Sequence, residues 1–174
     1  VKAGLITHEE FISRMQGKIE NSTSYYNDTL HFTTMSLGCL DIYHEEYGNV
    51  YLKGALINMC LDIELRQLSK GKYGTQELMR DLGKEFGANK AFNDDELFDK
   101  ITKMTYPEIR TFFTTYVEGD TPIPYETYLK KAGISLSPEG TMEVISMGNI
   151  SMNYNITAES STIFIENLEG SNSF

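Results

Sequence analysis

The sequence predicts a mainly α-helical bundle followed by a short β-rich tail, and three observations support this prediction. Apolar residues recur at helical spacing through most of residues 8–131. Signals that start and stop helices bracket these stretches. Beyond the turn-forming residues 137–140, β-branched residues and alternation replace the helical period. We therefore predict a helical part over residues 1–136 and a β-rich junction over residues 137–174.

The first helix is predicted from about residue 8 to residue 20. Thr7 and Glu10 have the spacing of a capping box, in which a hydroxyl and a carboxylate satisfy free amides at a helix start. Apolar residues then form a stripe that would pack on a neighbouring element, namely Phe11, Ile12, Met15 and Ile19. Residues 21–47 are rich in Ser, Thr, Asn, Tyr and Gly, which predicts mostly loop with one or two short helical turns.

The second predicted helix, over residues 50–69, is apolar nearly all round. One face carries Leu56, Met59, Cys60 and Ile63, and the other carries Leu61, Leu65 and Leu68. A helix of this kind is usually central in its domain. Asp62 and Arg66 stand one turn apart and predict an ion pair worth a few tenths of a kcal/mol, roughly.

Further helices are predicted between residues 75 and 133. Thr75 is expected to cap a helix that carries Leu78, Met79, Leu82 and Phe86 and ends at Gly87. A second capping box starts at Asn93, and Pro107 and Pro124 stand where a helix begins. Gly133 is expected to end the last helix just after Lys131.

The predicted tail contains short strands at residues 141–150 and 161–165. Two or three strands bury too little surface to be stable without packing on something else. The apolar run from Ile163 to Ile165 would expose a strand edge if nothing covered it. Possible self-association through the terminal strands follows from this pattern.

Charge and composition exclude several classes of partner. Fifteen basic and twenty-five acidic residues give a net charge of −10, which repels nucleic acids and anionic membrane surfaces. No segment approaches the run of roughly 18 apolar residues that a membrane helix needs. Cys39 and Cys60 are the only cysteines, too few for a disulfide scaffold or a structural zinc site, and we expect both to be buried as small apolar side chains.

The histidines do not have the spacing of a zinc-peptidase motif. Such a motif places two histidines at i and i+4 with a glutamate beside the first. The chain has His8, His31 and His44, and the positions four residues after His8 and His44 hold Ile12 and Gly48. We therefore predict no metal ligands and no cofactor in this chain.

A series of short elements between residues 51 and 133 nevertheless resembles the C-terminal helical part of the glycyl aminopeptidase family. These bacterial enzymes are thermolysin-like zinc metallopeptidases that carry a PDZ domain. The elements occur in the family's order: Tyr-x-Lys-Gly-Ala-Leu from Tyr51, Leu-Asp-x-x-Leu-Arg, Gly-Lys, Leu-Met-Arg-x-Leu, Phe-Phe-x-x-Tyr-Val-x-Gly, Pro-x-Pro-Tyr and Tyr-Leu-x-x-Ala-Gly. The opening residues 2–11 also resemble the segment that follows the third zinc ligand in this family.

The resemblance implies a role for Tyr51 as the catalytic donor to the oxyanion that forms during peptide hydrolysis. Lys53 and Gly54 would shape the turn and helix start, and Tyr47 is a candidate for a second, substrate-binding tyrosine. Zinc and its ligands would belong to an upstream part of the parent enzyme, and the tail would begin a truncated PDZ-like domain. The fragment would be inactive alone, and its parent would act on peptide N-termini. The sequence leaves the compartment open between the bacterial cytoplasm and the periplasm.

Two alternatives remain open at this point. Tyr51 could be a buried aromatic at a helix N-terminus, with a packing role only. The whole chain could be a noncatalytic helical module that binds a partner protein, which would account for the missing zinc ligands without a parent enzyme.

Overall fold

The computed structural model describes residues 4–87, 90–136, 149–156 and 161–169, and the chain divides into two compact units, 1–136 and 137–174. The prediction of a mainly helical protein is confirmed. The α-helices of the described residues are α1 (His8–Ser24), α2 (Phe32–Gly38), α3 (Tyr47–Leu68), α4 (Thr75–Glu85), α5 (Leu97–Met104), α6 (Glu108–Tyr116) and α7 (Tyr125–Lys131). Short 3-10 helices, His44–Glu46 and Asp94–Glu96, lead into α3 and α5. No helix in the described ranges is long and apolar enough to cross a membrane.

Helix α1 begins as predicted but runs four residues further. The Glu10 amide donates to Thr7 Oγ1 over 3.1 Å, and the Thr7 amide donates to Glu10 Oε2 over 2.7 Å, so the capping box is confirmed. The predicted end at residue 20 is wrong because the polar residues beyond it find partners within the fold. Ser22 Oγ is fully buried and donates to Asn49 Oδ1 over 2.7 Å. Thr23 Oγ1 donates back to the carbonyl of Ile19 over 2.8 Å.

Helix α3 is the central helix of the first unit, as its apolar pattern predicts. It contacts α1, α2, α4, α6 and α7. Leu56, Cys60 and Leu65 on it are fully buried. Burial raises the pKa of the Cys60 thiol to about 12. Cys60 is buried as predicted, but Cys39, which was also expected to be buried, is only half-buried. The helix begins at Tyr47 rather than at residue 50, because the preceding 3-10 helix continues directly into it.

Asp62 links α3 to the start of α4. Its Oδ2 accepts from Arg66 Nε over 2.7 Å, which confirms the predicted pair one turn apart. Its Oδ1 accepts from both the amide and the hydroxyl of Thr75, over 2.7 and 3.1 Å. Thr75 is therefore not the helix cap: Gly74 precedes the helix, and a Cβ there would lie 2.3 Å from Asp62 Oδ1. Met79, expected on the apolar stripe, is 65% exposed.

The second half of the helical unit packs around aromatic side chains. The rings of Phe98 and Phe113 stack at 4.5 Å between centroids, and Phe112 makes edge contacts with Tyr116 and Tyr128. Desolvation raises the pKa of Tyr128, whose phenol stays neutral.

The predicted start and stop signals around these helices are largely observed. Pro107 and Pro124 immediately precede α6 and α7. Gly133 has a φ of 78°, a conformation that glycine adopts without strain, and α7 ends two residues before it. At Asn93 the structure differs from a capping box: its Oδ1 accepts from the Asp95 amide over 3.2 Å and starts the 3-10 helix that precedes α5.

In the second unit, β1 (Asn149–Ile156) and β2 (Ser161–Glu169) pair as an antiparallel hairpin. Asn149 pairs with Glu169 at one end and Ile156 with Ser161 at the other, with an irregularity between Ser151 and Met152. Most of the strand predicted over residues 141–150 lies outside the described residues.

We expect a chain that ends at Leu136 to melt at the same temperature as the full chain and with the same cooperativity. The buried cluster of the first unit is built from residues between Ile19 and Leu136, so this cut removes none of them. A chain that ends at Val117 is the matched control. This control lacks the buried residues Tyr125 and Leu129 of α7, and its free energy of unfolding should be lower by roughly several kcal/mol. Circular dichroism during heating measures the melting temperature and the cooperativity of both shortened chains. If the chain that ends at Leu136 lost its cooperative transition, the two units would fold together.

Candidate functional site

Two exposed tyrosines form a hydrogen-bonded pair on the first turns of α3. Tyr47 Oη and Tyr51 Oη are 2.9 Å apart. The two rings meet edge to face, with 5.4 Å between centroids and 70° between planes. Tyr47 is 45% exposed and Tyr51 is 62% exposed. The structure thus brings together the two residues that the sequence singled out, and the alternative of Tyr51 as a buried aromatic is wrong.

A pair of phenols has one hydrogen to offer to a ligand. Each hydroxyl carries one hydrogen and can also accept. One of the two hydrogens is used within the pair, and the other is free to be donated outwards. The pair is therefore suited to stabilising an oxygen atom that gains negative charge.

The phenol of Tyr47 stays neutral under physiological conditions. Its hydrogen bond with Tyr51 is the main cause that raises the pKa of Tyr47 above its ordinary value, and repulsion between the two phenolates adds to this. A raised pKa keeps the proton on Tyr47 throughout the neutral range.

Lys53 anchors α3 to the segment between α1 and α2. The sequence assigned it to the turn and helix start, but its side chain is buried, with only 2% of the residue exposed. Lys53 Nζ donates to the carbonyl oxygen of Asp28 over 2.5 Å and lies 3.3 Å from Asp28 Oδ1. Sequence reasoning missed Asp28. The available signal was that Lys53 shares the buried face of α3 with Leu56 and Cys60, where a lysine needs a partner.

A second set of polar contacts holds the first turn of α3. Asn49 is fully buried and accepts from Ser22 Oγ of α1. Its Nδ2 lies 3.3 Å from Glu46 Oε2, and Glu46 Oε1 accepts from the Asn27 amide over 3.0 Å. The turn that carries Tyr47 is therefore attached both to α1 and to the segment that follows α1.

Two glycines of α3 let neighbouring aromatic rings approach its backbone. A Cβ on Gly48 would lie 2.2 Å from Tyr26 Oη, and a Cβ on Gly54 would lie 3.2 Å from Phe32 Cζ. Gly54, which the motif placed in the turn and helix start, lies within α3 and makes room for α2. Both glycines help to hold α3 against the preceding segments.

The histidines lie on separate elements. His8 begins α1, His31 precedes α2, and His44 begins the 3-10 helix before α3. Among the residues that the structure describes, no group of three or more His, Cys, Asp or Glu side chains could hold a metal ion.

We expect the purified chain to retain no stoichiometric zinc after dialysis. A zinc site needs three or four nitrogen, sulfur or oxygen ligands converging on one point, and the described residues contain no group of three or more His, Cys, Asp or Glu side chains that could hold a metal ion. Metal analysis of the dialysed protein makes the measurement. One zinc ion per chain would contradict the prediction and place a metal site in this chain.

No protein-family model, curated protein or solved structure matches the chain. The fold and the site define a helical protein with an exposed phenol pair on its central helix.

Proposed function

We propose that the chain is the helical part of a zinc metallo-aminopeptidase of the glycyl aminopeptidase type, to which it contributes Tyr51 as the donor to the oxyanion. The observation that supports this proposal is the exposed Tyr51 hydroxyl on a helix anchored at its opposite face by Asn49 and Lys53. A catalytic donor must be both accessible and held in place by the residues around it.

The chemistry of Tyr51 follows from that of a phenol. When water attacks a peptide carbonyl, its oxygen becomes an oxyanion, and a donor placed near that oxygen stabilises the transition state more than the substrate. A phenol donates one hydrogen bond while remaining neutral, so it does not bind the product carboxylate as a cation would. In the proposed parent enzyme, zinc held by residues outside this chain would polarise the carbonyl and acidify the water. An upstream glutamate would act as the general base.

The chain segment that leads into the tyrosine pair has an acidic balance of charge, which suits a peptide whose N-terminus is positively charged. Between Lys18 and Lys53 the chain contains no lysine or arginine, and Asp41, Glu45 and Glu46 precede Tyr47 closely. A region of this charge does not repel an ammonium group and favours its approach. We therefore propose peptides with a free N-terminus as the substrate class, and the hairpin unit as the beginning of the PDZ-like domain.

The experiment that tests the proposal starts with the gene. A parent peptidase requires an HExxH sequence followed by a third ligand, a glutamate, encoded upstream of Val1. The full-length product should then release amino acids from peptides with a free N-terminus and lose this activity when a chelator removes the metal. Absence of HExxH from the gene would refute the proposal.

A noncatalytic helical module that binds a partner protein is the second candidate. The observation in its favour is a group of highly exposed apolar side chains within six residues, because Leu37, Leu40 and Ile42 are 89, 83 and 73% exposed. Where exposed apolar side chains form one contiguous patch, that patch is typical of a surface that another protein covers. Under the first proposal the rest of the catalytic domain would cover them. The same gene sequence separates the two candidates, since an interaction module needs no HExxH.

A further inference from the structure

We propose that the helical unit holds a buried water molecule that links Tyr125 of α7 to Asp28, the residue that pairs with Lys53 of α3. The water accepts the hydroxyl hydrogen of Tyr125 and donates to Asp28 Oδ1. This hydration site is independent of the proposed function, because it concerns only how α3 and α7 are held together.

Two buried polar atoms in the helical unit have no hydrogen-bond partner among the described residues. They are Asp28 Oδ1 and Tyr125 Oη. Tyr125 as a whole is only 6% exposed. The large majority of buried polar side-chain atoms in proteins are bonded to protein or to ordered water, because a buried group without a partner is costly. Both atoms therefore need a partner that the surrounding side chains and backbone do not supply.

Lys53 does not satisfy the carboxylate of Asp28. Lys53 Nζ lies 3.3 Å from Asp28 Oδ1, close enough for an ion pair, but Oδ1 accepts no hydrogen bond from it. The hydrogen bond of Lys53 Nζ goes instead to the backbone carbonyl of Asp28, over 2.5 Å. Oδ1 can therefore accept from another donor, and the ammonium group, with three hydrogens, has others to donate.

Tyr125 and Asp28 lie in the same buried region. Tyr125 begins α7, belongs to the buried cluster of the helical unit and stands on a helix that contacts α3. Burial is the main cause that raises the pKa of Tyr125, and the negative charge of Asp28 raises it further, which requires the two groups to be near each other. The raised pKa keeps the hydrogen on Tyr125, so that the phenol is a donor at neutral pH.

Water has the hydrogen-bonding capacity that these atoms require. The phenol has a hydrogen to donate and the carboxylate oxygen can only accept one, yet the two atoms do not bond directly. A water molecule between such groups accepts from one and donates to the other, and a bridge of this kind is nearly as favourable as a direct bond. Buried waters typically make about three hydrogen bonds, and Lys53 Nζ supplies the third donor or acceptor contact as a donor. The water thus attaches α7 to the segment that anchors α3.

A crystal structure of the full chain, at a resolution that shows ordered water, tests the proposal directly. We expect one water oxygen at about 2.5–3.0 Å from both Tyr125 Oη and Asp28 Oδ1. A direct bond between these two atoms, a bond from Tyr125 Oη to another group such as Cys60 Sγ, or the absence of a water within reach of both atoms would overturn the inference.

Urea unfolding tests whether the two groups are coupled in solution. Tyr125→Phe removes one partner of the water and should raise the equilibrium constant for unfolding by roughly 5- to 10-fold. Tyr25→Phe, which removes a phenol on a residue 78% exposed, is the matched control and should leave this constant unchanged. In the Asp28→Asn background the effect of Tyr125→Phe should be at least roughly twofold smaller, because a neutral amide binds the water less strongly than a carboxylate.

Two results of the unfolding experiment would contradict the shared water. If Tyr125→Phe left the equilibrium constant for unfolding unchanged, the phenol would have no partner to lose. If Tyr125→Phe had the same effect with Asp28 and with Asn at that position, the two side chains would not share a hydrogen-bond network.

Discussion

Tyr51→Phe in the proposed full-length peptidase is expected to lower kcat by roughly 100-fold or more while KM changes little. The substitution removes one hydrogen bond that the proposed mechanism makes to the oxyanion. Loss of a single donor of this kind typically costs about 10²–10³ in kcat. Since the donor acts mainly in the transition state, substrate binding is largely preserved. Steady-state kinetics on a peptide with a free N-terminus make the measurement.

A change in fold would not account for such an effect. The ring of Tyr51 is retained in phenylalanine, and the hydroxyl that is lost lies on a residue 62% exposed, so the melting temperature should barely move. Tyr25→Phe is the matched control and should keep wild-type kcat. A kcat of Tyr51→Phe close to that of the wild type would leave Tyr51 with no catalytic role.

The predicted helices were correct where local chemistry sets the outcome. The capping box at Thr7, the prolines before α6 and α7 and the glycine after α7 act within a few residues of the helix ends, so the sequence displays them directly. The errors occurred where a distant partner decides. At the start of α4, the Thr75 amide donates to the carboxylate of Asp62 in α3, thirteen residues earlier in the chain. Helix propensities around Thr75 cannot predict a contact with that distant carboxylate.

The candidate site was predictable only in part, for a related reason. The resemblance singled out Tyr47 and Tyr51 separately. Because the predicted helix began at residue 50, Tyr47 was assigned to the preceding loop. The prediction therefore did not show that Tyr47 and Tyr51 lie on one face of the same helix. The anchors behind the pair were not predictable at all. Asp28 and Lys53 are 25 residues apart in the chain, and so their contact depends on how α1 and α3 pack.

The buried polar side chains that hold α3 in place differ in how costly their burial is. Ser22 of α1 and Asn49 of α3 are neutral and form a hydrogen bond with each other. The free-energy cost of burying these two polar side chains is therefore no larger than for other buried, hydrogen-bonded groups. Lys53 carries a full charge into the interior, where it is tolerated only because Asp28 supplies both a carbonyl oxygen and a carboxylate. Stability should therefore be most sensitive at Lys53.

Lys53→Met is expected to destabilise the chain by roughly 2–4 kcal/mol. Methionine fills much of the space of the lysine stem but cannot pair with Asp28, and breaking a buried pair by removing one partner typically costs about 3–5 kcal/mol. The expected cost is at the lower end because the side chain of Asp28 is 20% exposed and can regain some hydration. Urea unfolding, with the midpoint and slope fitted together, makes the measurement.

The control for this effect is Lys103→Met, which makes the same chemical change at an exposed position of α5 and should shift stability by less than about 0.5 kcal/mol. Lys53→Met combined with Asp28→Asn removes the unpaired carboxylate and should recover part of the loss, since it is the lone buried charge that is costly. If Lys53→Met were no more destabilising than Lys103→Met, the pair with Asp28 would not hold α3 in place. In that case only the contacts of Asn49, Gly48 and Gly54 would hold the tyrosine pair in position.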